Sequence, residues 1–106
     1  ASGLNGQRFT FHGYLPRTPQ DRKQAIRKIE ADALRTGGAE LFMETPYRND
    51  VLLGELLQTC ASSTLLTIAL DITQPGGSVQ TRSIGNWSKA TPTLGKRPAV
   101  FILGKP

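Results

Sequence analysis

Two short segments hold the residues best suited to chemistry. One is Phe11-His12-Gly13-Tyr14-Leu15-Pro16, the other Phe42-Met43-Glu44-Thr45-Pro46-Tyr47-Arg48. Each joins aromatic and titratable side chains to a proline where a strand-like run gives way to a helix-like one. In open α/β sheets that boundary is where ligands bind. Thr45-Pro46 also has the cap-then-proline form of a helix start, whose unpaired N–H groups seat anions. Arg48 in a first helical turn opposes the helix dipole. Two explanations stand open on the residues alone: a Glu44–Arg48 ion pair that closes the turn, or a bound anion.

Other chemistries find little support. The chain has no Gly-rich phosphate loop with its lysine, no paired-cysteine metal spacing and no nucleophile elbow. With one His and one Cys, zinc would depend on carboxylates, so no metal site is expected. A Ser–His–Asp triad would need His12, which reads equally as a polar residue closing a strand. Cys60 falls on an apolar helix face with Leu56 and Leu57, the place of a small buried hydrophobe rather than a nucleophile. A lone cysteine makes no internal disulfide and fits a reducing, cytoplasmic setting.

The elements that must position these residues are short and regular. The alternation from Arg8 to His12, with Phe9 and Phe11 on one side, reads as a strand ended by Gly13 and Pro16. Thr18-Pro19-Gln20-Asp21 reads as a helix start, with Thr18 as cap and Asp21 as the capping-box acid. Ile26, Ile29, Ala33 and Leu34 line one face of that helix. Arg22, Lys23, Arg27 and Lys28 line the other, as a solvated face or an RNA contact. Gly37-Gly38 stops it. Ala39 to Glu44 is a second strand. A helix opening at Thr45-Pro46 carries Val51, Leu52, Leu53, Leu56 and Leu57 and fades at Ser62-Ser63. The nearly unbroken apolar run Thr64 to Leu70 predicts a central strand covered on both faces. Gln74-Pro75-Gly76-Gly77 is a turn. Ser78 to Ile84 is extended, Asn86 to Lys89 a helical turn, Thr91 to Arg97 a basic loop, and Pro98 to Gly104 the last strand.

This order predicts a single small α/β domain. Its mixed sheet of about five strands has flanking helices, parallel where helices connect strands and antiparallel near the end. The chain has 106 residues, 38% hydrophobic and 20% charged, a globular balance for one domain. No apolar run approaches the roughly 20 residues that span a bilayer, and no signal-peptide pattern opens the chain. Residues 1–7 are small and flexible and read as a linker remnant, leaving 8–106 as the domain. A net charge of +5 and a pI near 9.9 suit an anionic partner such as RNA.

Taken together, the two opening segments and the basic helix between them resemble the ribosomal RNA ribose 2'-O-methyltransferase branch of the tetrapyrrole methylase family. Ala69-Leu70-Asp71-Ile72-Thr73 resembles that branch's Ala-Arg-Glu-Leu-Thr, and Pro98 to Gly104 resembles the wider family's final Pro-Ala strand. The likeness runs from about Arg8 to Gly104. Gln74-Pro75-Gly76-Gly77 stands where the branch has Lys and then His-Glu, and Tyr47 where it has His. The methyl acceptor therefore stays open among ribosomal RNA, a tetrapyrrole and a small molecule.

The resemblance implies the C-terminal domain of a two-domain, S-adenosylmethionine-dependent methyltransferase. An N-terminal domain would supply the other wall of the cofactor cleft, and this segment alone would be inactive. It implies Met43, Thr67, Ala69, Pro98 and Ala99 as cofactor-lining residues, with a homodimeric assembly. His12, Tyr14, Glu44, Tyr47 and Arg48 would face the acceptor, with Glu44 the one candidate base. A module that binds RNA or dimerises without catalysis is the alternative. Its contacts would come from the basic helix or from Lys89, Lys96 and Arg97.

Overall fold

The computed structural model describes residues 9–71 and 75–106. The expected linker at 1–7, the strand start at Arg8 and the Ile72-Thr73-Gln74 stretch lie outside the described residues. Alternation of Phe9 and Phe11 with Thr10 and His12 builds β1 (Phe9–Tyr14). This strand continues past Gly13, its expected end. Gly13 takes φ +69°, open to a residue without Cβ, and the pairing register slips there as in a β-bulge.

Helix α1 (Pro19–Thr36) starts on its proline. Thr18 contributes through its backbone rather than its hydroxyl, its carbonyl accepting from Arg22 N–H at 2.9 Å. Gly37 ends α1, donating to the Ala33 carbonyl. Strand β2 (Ala39–Met43) follows.

The next helix begins later than Thr45-Pro46. Residues Pro46–Arg48 form a 3-10 turn, closed by Arg48 N–H on the Thr45 carbonyl at 2.8 Å, and α2 runs Asn49–Thr59. The chain continues through β3 (Leu65–Leu70), β4 (Ser78–Ser83), α3 (Ile84–Lys89) and β5 (Ala99–Gly104). Ser83 caps α3, its hydroxyl accepting from Asn86 N–H at 3.2 Å.

The five strands form one sheet in the order β1-β2-β5-β3-β4. Strands β1 and β2 are parallel, and every other pairing is antiparallel. The expected mixed sheet is therefore present. The last strand rather than the third takes the middle, because β5 inserts between β2 and β3.

All three helices lie on one face of this sheet. Ile26 and Ile29 of α1, Leu52, Leu53 and Leu56 of α2, and Trp87 of α3 pack on Phe42, Leu66, Ile68, Phe101 and Leu103. Phe42 and Phe101 stack with ring centroids 6.0 Å apart. Cys60 is buried in the same cluster, as its spacing predicted.

The opposite face carries no helix among the described residues. Register places its side chains in three rows. One is Met43, Val100, Ala69 and Val79; the next is Phe11, Leu41, Ile102, Thr67 and Thr81. The last has Phe9 and Ala39 at one side and Gly104, Leu65 and Ser83 at the other. None of these positions is charged. The apolar third strand is internal to the sheet and its middle residues are buried on both sides, as expected, but helices cover only one of its faces. Leu66 and Ile68 are covered by helices, whereas Thr67 and Ala69 are shielded largely by their smallness and their strand neighbours.

Candidate functional site

The pairings make β1, β2 and β3 point the same way, so their carboxyl ends share one edge of the sheet. The amino end of β5 enters at that edge. There Met43 lies opposite Val100, and Val100 lies opposite Ala69. Three of the expected cofactor-lining positions, Met43, Ala69 and Pro98, thus gather at one end. Thr67 sits one row farther in, its hydroxyl bonded to that of Thr81 at 2.6 Å. Ala99 lies opposite Leu70, and its methyl is buried in the helix-side core, so only its backbone borders the edge.

The loops at this edge are held by specific bonds. Asp71 takes a left-handed φ of +49°, its N–H donates to the Pro98 carbonyl at 2.9 Å, and its carboxylate receives Arg97 Nε at 2.5 Å. Gly77 closes the β3–β4 turn against this strained residue; a Cβ there would lie 2.3 Å from the Asp71 carbonyl oxygen. Asp50 accepts from the N–H groups of Leu94 and Gly95 at 2.7 and 3.1 Å. Asn49 is fully buried and donates to the Arg97 carbonyl. The basic loop Thr91 to Arg97 is thus docked on the start of α2. No sequence spacing announced it, since the partners lie more than forty residues apart.

This docking changes the anion reading. Asp50 places a carboxylate in the first turn of α2, where an anion would otherwise sit. Nor does Glu44 pair with Arg48 among the described residues. Glu44 is buried, its carboxylate accepts from Thr45 N–H at 2.8 Å, and it lies in the field of Arg22. Arg48 is exposed. Tyr47 is 76% exposed, and the Lys96 ammonium stands 5.0 Å from its ring centre.

His12 and Tyr14 lie elsewhere. His12 Nε2 is 2.7 Å from Glu40 Oε1, beneath α1 and on the face opposite Met43. His12 and Tyr14 border a cavity of about 220 Å³ with Lys28 and Asp32. The structure therefore separates the expected acceptor-side residues into two groups, Tyr47 with Arg48 and His12 with Tyr14.

The basic stripe on α1 loses a member. Arg22, expected on the solvent face, is 2% exposed. Its guanidinium makes a forked contact with Glu55 of α2, Nη2 reaching Oε2 at 2.7 Å, and donates to the Arg17 carbonyl at 2.9 Å. The hydrogen bond to Glu55 raises its pKa against the opposing effect of burial. Helix α1 meets α2 along the turn that holds Arg22, so helical spacing alone assigned it to the wrong side. Among the described residues no His, Cys, Asp and Glu cluster could hold a metal, and no helix is long and apolar enough to cross a membrane.

No family model and no curated protein matches this sequence. Solved structures do match its fold. The crystal structure of the methyltransferase CobJ is 18% identical with a TM-score of 0.53, the match covering 91% of this chain and 41% of that one. Uroporphyrin-III C-methyl transferase from Thermus thermophilus, complexed with S-adenyl homocysteine, is 13% identical at 0.55, covering 98% and 44%. The native form of the Thermus enzyme is 15% identical at 0.55, covering 98% and 42%. At such identities the likeness is one of fold, and the fold implied by the sequence resemblance is the one found. The chain spans about two fifths of the length of the structures it matches.

Proposed function

We propose that this chain forms one wall of an S-adenosylmethionine cleft in a two-domain methyltransferase, the other wall being an N-terminal domain of the same protein. One observation carries the reading. Met43, Val100 and Ala69 line up at the carboxyl edge of a sheet whose fold is shared with methyltransferases, one of them complexed with S-adenyl homocysteine. These residues suit such a ligand. Met43 and Val100 are half-buried and apolar, Ala69 is small, and no charge interrupts the row.

When bound, S-adenosylmethionine supplies a methyl group on a sulfonium for in-line displacement. The chain's own part is alignment and exclusion of water. Met43 and Val100 offer an apolar floor, and Ala69 leaves room above it. The Asp71–Arg97 pair and the Asp71 bond to Pro98 hold the loops that border that floor. Tyr47 and Arg48, with Lys96 beside them, form the acceptor side and suit an acceptor bearing anionic groups. Glu44 fixes the turn between them. Its burial and its bond to Thr45 leave it poorly placed to accept a proton.

Calorimetric titration of S-adenosylhomocysteine tests this. The 106-residue chain is compared with the same chain joined to its preceding domain. Micromolar binding by the longer form alone is expected, and Ala69→Phe should abolish it. Absence of binding by both overturns the methyltransferase reading and leaves the basic or dimerising module. Equal binding by both overturns the shared cleft.

A further inference from the structure

We infer that the flank of α1 beside β1 holds a binding site for a free α-amino acid with an aromatic side chain. The site is separate from the cofactor edge, and the inference does not rest on the cofactor reading. It starts from a buried charge that the proposed chemistry does not use. Glu40 stands on the helix side of β2 and is 4% exposed. Among the described residues its carboxylate meets one side-chain donor, His12 Nε2 at 2.7 Å. Burying a carboxylate against a single partner is costly. What the contact achieves is to hold the imidazole. A carboxylate only accepts, so Nε2 donates, and Nδ1 of the neutral ring is left as an acceptor.

Two cavities flank that histidine beneath α1, of about 220 and 110 Å³. His12 and Asp32 border both of them, so two acceptors share one place. Arg35 reaches Oδ1 of Asp32 at 3.2 Å, and the second carboxylate oxygen takes no donor among the described residues. Lys28, one helical turn before Asp32, borders the larger cavity. Asp32 pairs with Arg35 and not with Lys28, so a cation and an anion stand apart on one cavity. Leu15, Ala25 and Ile29 give the same cavity an apolar wall.

This set selects a ligand that carries both charges. An anion alone would meet the Asp32 and Glu40 carboxylates, and a cation alone would face Lys28. An α-amino acid answers both signs. Its ammonium donates to Asp32 and to His12 Nδ1, and its carboxylate takes Lys28. Its side chain then rests on the apolar wall. Size fixes the kind of side chain. A cavity of about 150 Å³ accepts a benzene ring. The larger cavity here, about 220 Å³, accepts a phenyl group and leaves room for the α-carbon. Tyr14, 63% exposed, borders this cavity and gives that ring an aromatic neighbour.

NMR titration of L-phenylalanine into the 106-residue chain tests the inference. For a ligand of this size ordinary ligand efficiency gives a Kd of about 1 mM. Saturable shifts at His12, Ala25 and Lys28 are expected. Phenethylamine lacks the carboxylate and hydrocinnamate lacks the ammonium, so each should bind about tenfold more weakly. Asp32→Asn should weaken L-phenylalanine about tenfold and leave hydrocinnamate unchanged. Lys28→Gln should weaken L-phenylalanine and spare phenethylamine. Lys28 is exposed and Asp32 half-buried, so circular dichroism should show the fold retained in both variants. Ala25→Leu, which fills the cavity, should abolish binding. Absence of saturable shifts at about ten times the expected Kd overturns the inference, as does binding that survives Ala25→Leu in a folded chain. Phenethylamine or hydrocinnamate binding as tightly as L-phenylalanine overturns the choice of a doubly charged ligand.

Discussion

The two faces of the sheet are built from the same five strands and live in different surroundings. On the helix side, Phe42, Phe101, Leu66 and Leu103 are sealed. Specific bonds satisfy polar groups there: Arg22 with Glu55, the Trp87 indole N–H with the Leu66 carbonyl at 2.8 Å, and Glu30 with the Thr64 hydroxyl at 2.6 Å. On the open side the residues are uncharged and mostly apolar, yet Phe9, Phe11 and Val79 stay half exposed or more. The difference lies in what covers each face and in the smaller residues of the open one, where Thr67, Thr81 and Ser83 stand among the apolar side chains. One face is sealed by the helices, and the other carries no helix among the described residues.

The largest effect should come from emptying the sealed face. Phe101→Ala removes a fully buried ring stacked on Phe42 and should cost about 3–5 kcal/mol in urea unfolding. Phe11→Ser, an aromatic loss on the open face, should cost under about 0.5 kcal/mol. Equal losses at the two positions would mean that the open face is already covered within the monomer.

A smaller effect is expected at the buried charge. Arg22→Ala leaves Glu55 unpaired and strips the Arg17 carbonyl of a donor. It should cost about 2–3 kcal/mol, tempered by the partial exposure of Glu55. Arg22→Met keeps the packing and should recover part of that. Unfolding midpoints of the two variants decide whether the clamp acts through charge or through volume.

The smallest is at Cys60. Burial, with Glu30 nearby, pushes its thiol up to about 12. The unfolded thiol ionises at lower pH than the folded one. Its contribution is therefore intact below the ordinary cysteine range and lost as pH rises toward 12. A thiol reagent should label the native chain slowly at pH 8 and rapidly in denaturant. Fast native labelling would place Cys60 at a surface.

Much of this was legible along the chain. The strand and helix order, the stop at Gly37, the buried Cys60 and the mixed sheet follow from local rules: period two or 3.6, and the backbone preferences of Gly and Pro. The gathering of Met43 and Ala69 was legible only through resemblance, because nothing local says that β2 and β3 end at one edge. Arg22 was misplaced because a helical wheel shows two faces and not the neighbour that claims a third. The Glu44–Arg48 pair failed because a 3-10 turn, fixed by Arg48 on Thr45, replaced the expected helical turn. Asp50 and Asn49 went unnoticed because their partners are loop N–H and carbonyl groups far along the chain.

Sequence by itself determined which residues alternate, cap and punctuate, since those preferences act over a few residues. Only the tertiary structure decided that β5 would separate β2 from β3, that every helix would fall on one side, and that an uncharged face would remain. Those outcomes rest on long-range pairing, which local pattern does not encode. A strand carries the same alternation whether its second face meets a helix, another chain or water.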